Sequence, residues 1–366
     1  MPKKKFYSLE PIMKQAPDAL YYVIFGGRST GKTYSAFKRG LEIYAKSGKQ
    51  MALIRRWEED FKGKRGQTMF NNLVANNEIS KITGGKWTDV YYWGSKWYLC
   101  KYDEDGKRIT DLDPFCYAFA ISAQEHDKST SYPNVTTVIF DEFLTRGAYL
   151  PDEFVLFMNC LSSIIRHRTD VKIFMLGNTV NKYCPYFAEM GLRHAKDMKS
   201  GAIDIYSYGE SGLKVAVEFT GTNKGGKSSD KYFAFDNPRL SMITGEAWEI
   251  DIYPHCPVKY KPNEVLFNYF IKFSDEVLQC EIVLHEDLFF TFIHRKTGDI
   301  KYPNTDLVFT PDYSPRPNYR RRITKPTNEV EKKIASFYIK DKIFYSDNEV
   351  GEIVRNYLIW CGKTAI

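Results

Sequence analysis

The stretch Gly26-Gly27-Arg28-Ser29-Thr30-Gly31-Lys32-Thr33 constrains this chain more than any other part of its sequence. It fits G-x-x-x-x-G-K-[ST]. The apolar run Tyr21-Tyr22-Val23-Ile24-Phe25 precedes it, and helical spacing at Tyr34, Phe37, Leu41, Tyr44 and Ala45 follows, stopping at Gly48. A buried strand, a glycine-rich turn and a helix in that order build a phosphate cradle. The glycines let the backbone curl until successive N–H groups face phosphate oxygens, and the helix N-terminus adds positive potential. Lys32 then reaches the β- and γ-phosphates, and the Thr33 hydroxyl ligates Mg²⁺. Residues 26–33 are therefore read as the site of ATP with Mg²⁺.

A second signal lies at the end of another apolar run. Val138-Ile139-Phe140 leads into Asp141-Glu142. Two acids ending a buried strand are costly unless they have a task there, and the C-terminal edge of an open α/β sheet is where ligands bind. Asp141 is placed to hold Mg²⁺ through water, and Glu142 to orient or deprotonate the attacking water. A glutamate there favours hydrolysis over transfer to a hydroxyl acceptor. The next strand ends in Leu176-Gly177-Asn178, whose amide can touch the γ-phosphate or the water. Arg166 and Arg168, with Arg146 and Arg28 as further candidates, can neutralise charge on the transferring group.

The strands Tyr21–Phe25, Met51–Ile54, Ala118–Ser122, Thr137–Phe140 and Lys172–Leu176 alternate with helices, one of them opened by Pro151 and running to Ile165. Segment 96–103, with the preceding Val90-Tyr91-Tyr92-Trp93, suggests a hairpin laid on the core. This alternation predicts a mostly parallel sheet covered on both faces. After about residue 205 the character changes. Segment 221–231 reads as a loop and Leu240–Ile250 as a short connecting helix; from Lys259 onward the chain is strand-rich and ends in a helix over Asn348–Trp360. The expected organisation is an ATPase domain over 1–220, a linker over 221–256 and an α+β domain over 257–366.

Composition narrows the classes. With 43% hydrophobic and 27% charged residues the chain is not disordered. No apolar run approaches a membrane span, and the start MPKKKFYSLEP lacks the core of a signal peptide. Seven scattered Cys argue against a disulfide framework and for a reducing cytoplasm. The six His form no metal-ligand spacing, so Mg²⁺ with nucleotide is the one metal expected. The net charge of +7 permits a polyanionic partner.

The order GGRSTGKT, IRR after the second strand, YPNVTTVIFDEF, IIRHR and a strand ending in GN resembles the DNA-packaging (encapsidation) ATPases of small short-tailed phages. These are additional-strand, catalytic-glutamate P-loop proteins with a RecA-like, terminase-like sheet, related to terminase large subunits. The resemblance is strongest over residues 15–185. It implies a homomeric, pentameric ring docked on the portal of a procapsid in the host cytoplasm, driving double-stranded DNA inward by ATP hydrolysis. It also implies an arginine finger in trans, falling on Arg166 with Arg168 as the alternative; a packaging RNA as a further partner is left open by the sequence. Its C-terminal domain would resemble a degenerate RNase H-type nuclease that binds nucleic acid or the portal. The strand 266–273 carries no acid where a two-metal nuclease needs one, in keeping with degeneracy.

Basic segments supply candidate phosphate contacts. Arg55, Arg56, Lys62, Lys64 and Arg65 are expected to meet DNA or a neighbouring subunit. Arg320, Arg321 and Arg322 are expected to meet nucleic acid or the portal. Lys224, Lys227 and Lys231 add to them. The alternatives are a RecA-like helicase or recombinase on single strands, a P-loop kinase, and a terminase with active nuclease.

Overall fold

Neighbouring side chains of the run 21–25 serve two different cores, and this fixes the layer order. In the computed structural model, β1 (Tyr21–Gly26) is buried along its whole length. Tyr21, Val23 and Phe25 enter one hydrophobic cluster, Tyr22 and Ile24 the other. That is the burial expected of a parallel strand with helices on both sides. The structure describes residues 6–126, 131–147, 149–150, 152–179, 184–220, 253–273 and 275–363. The chain divides into two compact units, Met1–Trp248 and Glu249–Ile366.

In the first unit the strands are β1, β2 (Gln50–Arg55), β3 (Asp89–Trp93), β4 (Lys96–Tyr102), β5 (Arg108–Thr110), β6 (Cys116–Ala120), β7 (Val135–Asp141), β8 (Lys172–Asn178), β9 (Ile203–Tyr208) and β10 (Leu213–Thr220). They form one sheet in the order β3-β4-β6-β2-β7-β8-β1-β10-β9, with β5 on β4. The run β6-β2-β7-β8-β1-β10 is parallel throughout, and antiparallel strands finish both edges. One strand, β8, therefore stands between the glycine-loop strand β1 and the acid-bearing strand β7.

The helices are α1 (Glu10–Gln15), α2 (Lys32–Ser47), the short α3 (Lys64–Thr68), α4 (Asn71–Ala75) and α5 (Glu78–Ile82), α6 (Glu153–Ile165) and α7 (Pro185–Glu189). Ala36, Phe37 and Leu41 of α2 pack on one face of the sheet. Phe157, Leu161 and Ile164 of α6 pack on the other. Gly48 ends α2 in the left-handed region at φ 70, its N–H bonded to the Tyr44 carbonyl at 2.8 Å, a C-cap that glycine adopts without penalty.

All five expected core strands are present, with Ala118–Ser122 moved upstream to Cys116–Ala120. The sixth parallel strand, β10, was not anticipated. Its Lys214 and Glu218 interrupt the apolar run, yet Val215, Ala216 and Val217 are buried between the two clusters. Pro151, the 221–231 loop with its lysines, and the Leu240–Ile250 helix lie outside the described residues.

The second unit holds β11 (Val265–Phe273), β12 (Glu276–His285), β13 (Leu288–Arg295), β14 (Val308–Phe309), β15 (Tyr319–Arg320) and β16 (Ile343–Tyr345), in the order β15-β14-β11-β12-β13-β16. β11, β12 and β13 are antiparallel. β14 runs parallel to β11, β15 to β14 and β16 to β13. Two helices, α8 (Glu329–Ile339) and α9 (Asn348–Lys363), complete it. Asn328 caps α8 by accepting from the Glu331 N–H, as the first turn of a helix requires. β14, β15 and α8 were not expected from the sequence.

Candidate active site

Three strand ends meet at one place. The registers align Gly26 with Asn178 across β1 and β8, and Asp141 with Leu176 across β7 and β8. The glycine loop, the two acids and the amide thus share the C-terminal edge of the sheet. Ser29 (φ 57) and Gly31 (φ 98) take left-handed backbone and curl the loop into α2. Gly26 is demanded by crowding: a β-carbon there would lie 2.1 Å from Thr220 Oγ1 and 2.3 Å from the Thr220 carbonyl.

Lys32 folds back over this loop. Its Nζ donates to the carbonyls of Gly27 at 2.7 Å and Gly26 at 3.3 Å, to Thr30 Oγ1 at 3.3 Å and to Asn178 Oδ1 at 3.4 Å. Burial pulls its pKa down to about 8, with Asp141 pulling the other way. Thr33 Oγ1 donates to Asp141 Oδ1 at 2.8 Å. These two oxygens are hard donors of the kind Mg²⁺ takes. The loop and Asn178 open on a cleft of about 1340 Å³, walled also by Phe6, Tyr7, Tyr34 and Lys38. The Tyr7 N–H bonds the Thr30 carbonyl at 3.0 Å. Its hydroxyl donates at 2.6 Å to Glu218, whose carboxyl pKa burial raises.

The two arginines ending β2 require a correction. Arg55 was expected to meet DNA or a neighbouring subunit. It spans the acid pair instead, with Nη2 at 2.5 Å from Asp141 Oδ2 and Nη1 at 2.8 Å from Glu142 Oε2. Burial works against its charge, but Asp141 and Glu142 outweigh that and raise its pKa. Arg56 is 5% exposed and paired with Glu153, so it presents nothing to DNA. The sign of the charge drew both into the basic segment; the residue pairing Ile54 with Phe140 shows that the next positions fall beside Asp141 and Glu142. Lys62, Lys64 and Arg65 are exposed, with Lys62 near Glu58 and Glu59.

Arg166 and Arg168 follow α6 and precede β8, at the opposite edge of the sheet. A strand of seven residues separates that edge from Asn178, about 20 Å at 3.3 Å per residue. Arg166 is exposed at φ 47. Arg168 donates to the carbonyls of Tyr132, Pro133, Ile164 and Ile165 and so clamps the turn. In the second unit, Arg320 Nε donates to the buried Glu331 at 2.6 Å. Arg321 donates to the Pro311 carbonyl at 2.9 Å and stacks 3.9 Å from the Tyr313 ring centroid. Both guanidinium groups are thus engaged within the unit. Arg322 is half-buried.

A parallel sheet with a glycine loop after its first strand and a carboxylate pair two strands away defines a P-loop ATPase-type fold. The chain belongs to the family of podovirus DNA encapsidation proteins (Gp16), whose model matches residues 1–199. It is 30% identical over 180 residues to the DNA packaging protein of Bacillus phage B103, covering 48% of this chain and 49% of that one. It is 25% identical over 190 residues to the DNA packaging protein of Bacillus phage phi29, covering 51% and 50%. These matches span about half the length of the curated relatives. Two solved structures share the fold: the Phi-28 gp11 DNA packaging motor (TM-score 0.54, 19% identity, 98% of each chain) and the bacteriophage Phi-29 viral genome packaging motor assembly (TM-score 0.54, 20% identity, 96% of each chain). Among the described residues, no helix is long and apolar enough to cross a membrane.

Proposed function

We propose that this protein is an ATP-hydrolysing motor subunit that drives double-stranded viral DNA into a procapsid. The observation that carries this is the convergence of Lys32, Thr33, Asp141, Glu142 and Asn178 on one sheet edge. Lys32 would exchange its loop carbonyls for the β- and γ-phosphates. Thr33 and Asp141 would hold Mg²⁺, which when bound neutralises phosphate charge. Glu142, with its side chain 58% exposed, would orient the attacking water, and Asn178 would read the γ-phosphate through its contact with Lys32. Arg55 grips the same carboxylates, so it must shift for Asp141 and Glu142 to act. Lys32→Ala and Glu142→Gln are expected to abolish MgATP hydrolysis; turnover retained in either overturns this reading. Stimulation by single-stranded but not duplex DNA would turn it toward a helicase.

The resemblance to packaging ATPases supports a homomeric ring at the portal vertex in the host cytoplasm, with a packaging RNA as a further partner. Arg166 is our choice for the finger in trans. Its exposure and its distance from its own loop support that choice. For residues 257–366 we infer a degenerate RNase H-type domain, separated by a linker over 221–256 from the ATPase domain over 1–220. Three antiparallel strands followed by two parallel ones, in the order β13-β12-β11-β14-β15, support it. Asp306 and Asp347 have local tasks: one accepts from the Tyr302 N–H, the other from the Val350 N–H at the start of α9.

A further inference from the structure

Arg55 and Arg56 leave the end of β2 in different directions, and only the first reaches the acid side chains. Arg56 Nε donates to both oxygens of Glu153, at 3.0 and 2.8 Å. Its Nη1 donates to the carbonyl of Glu142 at 3.3 Å, and its Nη2 to the carbonyl of Phe143 at 2.8 Å. Glu153 also accepts from the Leu150 N–H at 2.6 Å and the buried Tyr186 hydroxyl at 2.8 Å.

The target of this network is a strained residue. Glu142 sits at φ 63, backbone that a residue with a β-carbon keeps only when its surroundings over-determine it. The Phe143 N–H is held by the Leu176 carbonyl at 3.1 Å. Arg56 holds the carbonyls of Glu142 and Phe143. One guanidinium therefore fixes the peptide group that leaves the Glu142 α-carbon and the one after it. A buried ion pair adds little net stability compared with apolar side chains of the same volume, so stability alone is a poor reason for this arrangement.

We infer that Arg56 is a positioning residue for hydrolysis: braced by Glu153, it sets the direction of the Glu142 carboxylate through the Glu142 and Phe143 carbonyls. This rests on the reading of Glu142 as the acid that orients water. The same brace anchors the first residue of α6, whose far end carries Arg166.

The test uses the full chain and four readouts: kcat and KM for MgATP, the Kd of a fluorescent ATP analogue, and Tm. Arg56→Lys keeps a cation opposite Glu153, but a single ammonium cannot also reach two carbonyls. Its kcat is expected to fall by about 10- to 100-fold, as for a misplacement of about 1 Å, with the Kd within about twofold of wild type. The apolar triple variant Arg56→Met, Glu153→Leu, Tyr186→Phe is expected to regain wild-type Tm without regaining kcat. Wild-type kcat in Arg56→Lys, or recovery of both Tm and kcat in the triple variant, overturns the inference. Should the triple variant not fold, Arg56→Lys alone decides. A wild-type chain that turns over no ATP overturns the hydrolytic reading itself, a distinct result from wild-type turnover that Arg56→Lys leaves unchanged.

Discussion

Replacing Arg55 by Met removes one guanidinium that spans two carboxylates, and the structure sets the size of the loss. The Asp141 half is sequestered, with side-chain exposures of 15% and 5%. Breaking such a pair costs about 3–5 kcal/mol, because the remaining charge is left buried. The Thr33 hydroxyl stays bonded to Asp141, which places the cost near the lower bound. The Glu142 half is 58% exposed on the acid side and adds only about 0–1 kcal/mol. The sum is about 3–4 kcal/mol. At about 2–4 °C per kcal/mol for a domain of this size, Tm should fall by about 6–16 °C. The assay is thermal unfolding of wild type and variant, each also carrying Glu142→Gln to stop turnover, with and without MgATP. That background removes the smaller half, so the expected fall there is about 3 kcal/mol. MgATP should narrow the gap, since a divalent cation on Thr33 and Asp141, as proposed, would take over the charge that Arg55 neutralised. A variant melting within about 2 °C of its parent would refute the reasoning.

Four further outcomes are expected. Lys32, with its pKa lowered to about 8, is cationic below that pH and loses its charge above it. The Kd for MgATP should therefore be flat at lower pH and rise about tenfold per pH unit above pH 8, as proton uptake becomes linked to binding; a flat profile in an isothermal titration series contradicts this. Arg168→Ala should lower Tm, since it strips the carbonyls of Tyr132, Pro133, Ile164 and Ile165 of their shared donor; a Tm unchanged from wild type contradicts it. Gly26→Ala should abolish nucleotide binding or folding, because its β-carbon would meet Thr220 at 2.1 Å; normal binding of a fluorescent ATP analogue counts against that packing. Glu218 has a carboxyl pKa raised by burial, so its contribution to stability is full at acid pH and declines as pH rises through the folded value. Glu218→Gln does not titrate, so its Tm relative to wild type should improve from pH 4 to pH 8, about half a unit below to several above the ordinary value of 4.5.

Much of the site was legible because its chemistry is local. Gly26 to Thr33 is contiguous, and Asp141 and Asn178 each end an apolar run that periodicity reveals. The partners of these residues are not local. Arg55 lies 86 positions from Asp141, and Arg56 lies 97 from Glu153. The pairing of β2 with β7 brings Arg55 to Asp141, and the packing of α6 brings Glu153 to Arg56, whereas single-chain charge patterning reads both arginines as surface cations. The strand β10 was missed for a related reason. Its Glu218 breaks the apolar pattern, and its partner Tyr7 stands 211 residues away. In the second unit the three long strands were visible as β-branched and aromatic runs. The two-residue strands β14 and β15 exist through pairing, β14 with β11 and β15 with β14, and have no periodicity to read. Arg320 and Arg321 looked like a free cationic run because Glu331 and Tyr313, their partners, are not adjacent in sequence.

The proposed sharing of the active site between neighbouring subunits is tested most directly by mixing two inactive variants. Glu142→Gln retains Arg166, and Arg166→Ala retains Glu142. Each alone should hydrolyse MgATP at background rate. Mixed at equal concentration with duplex DNA, some interfaces combine an intact Glu142 with an intact Arg166, and turnover should reappear. No turnover in the mixture, or wild-type turnover by Arg166→Ala alone, would contradict the account.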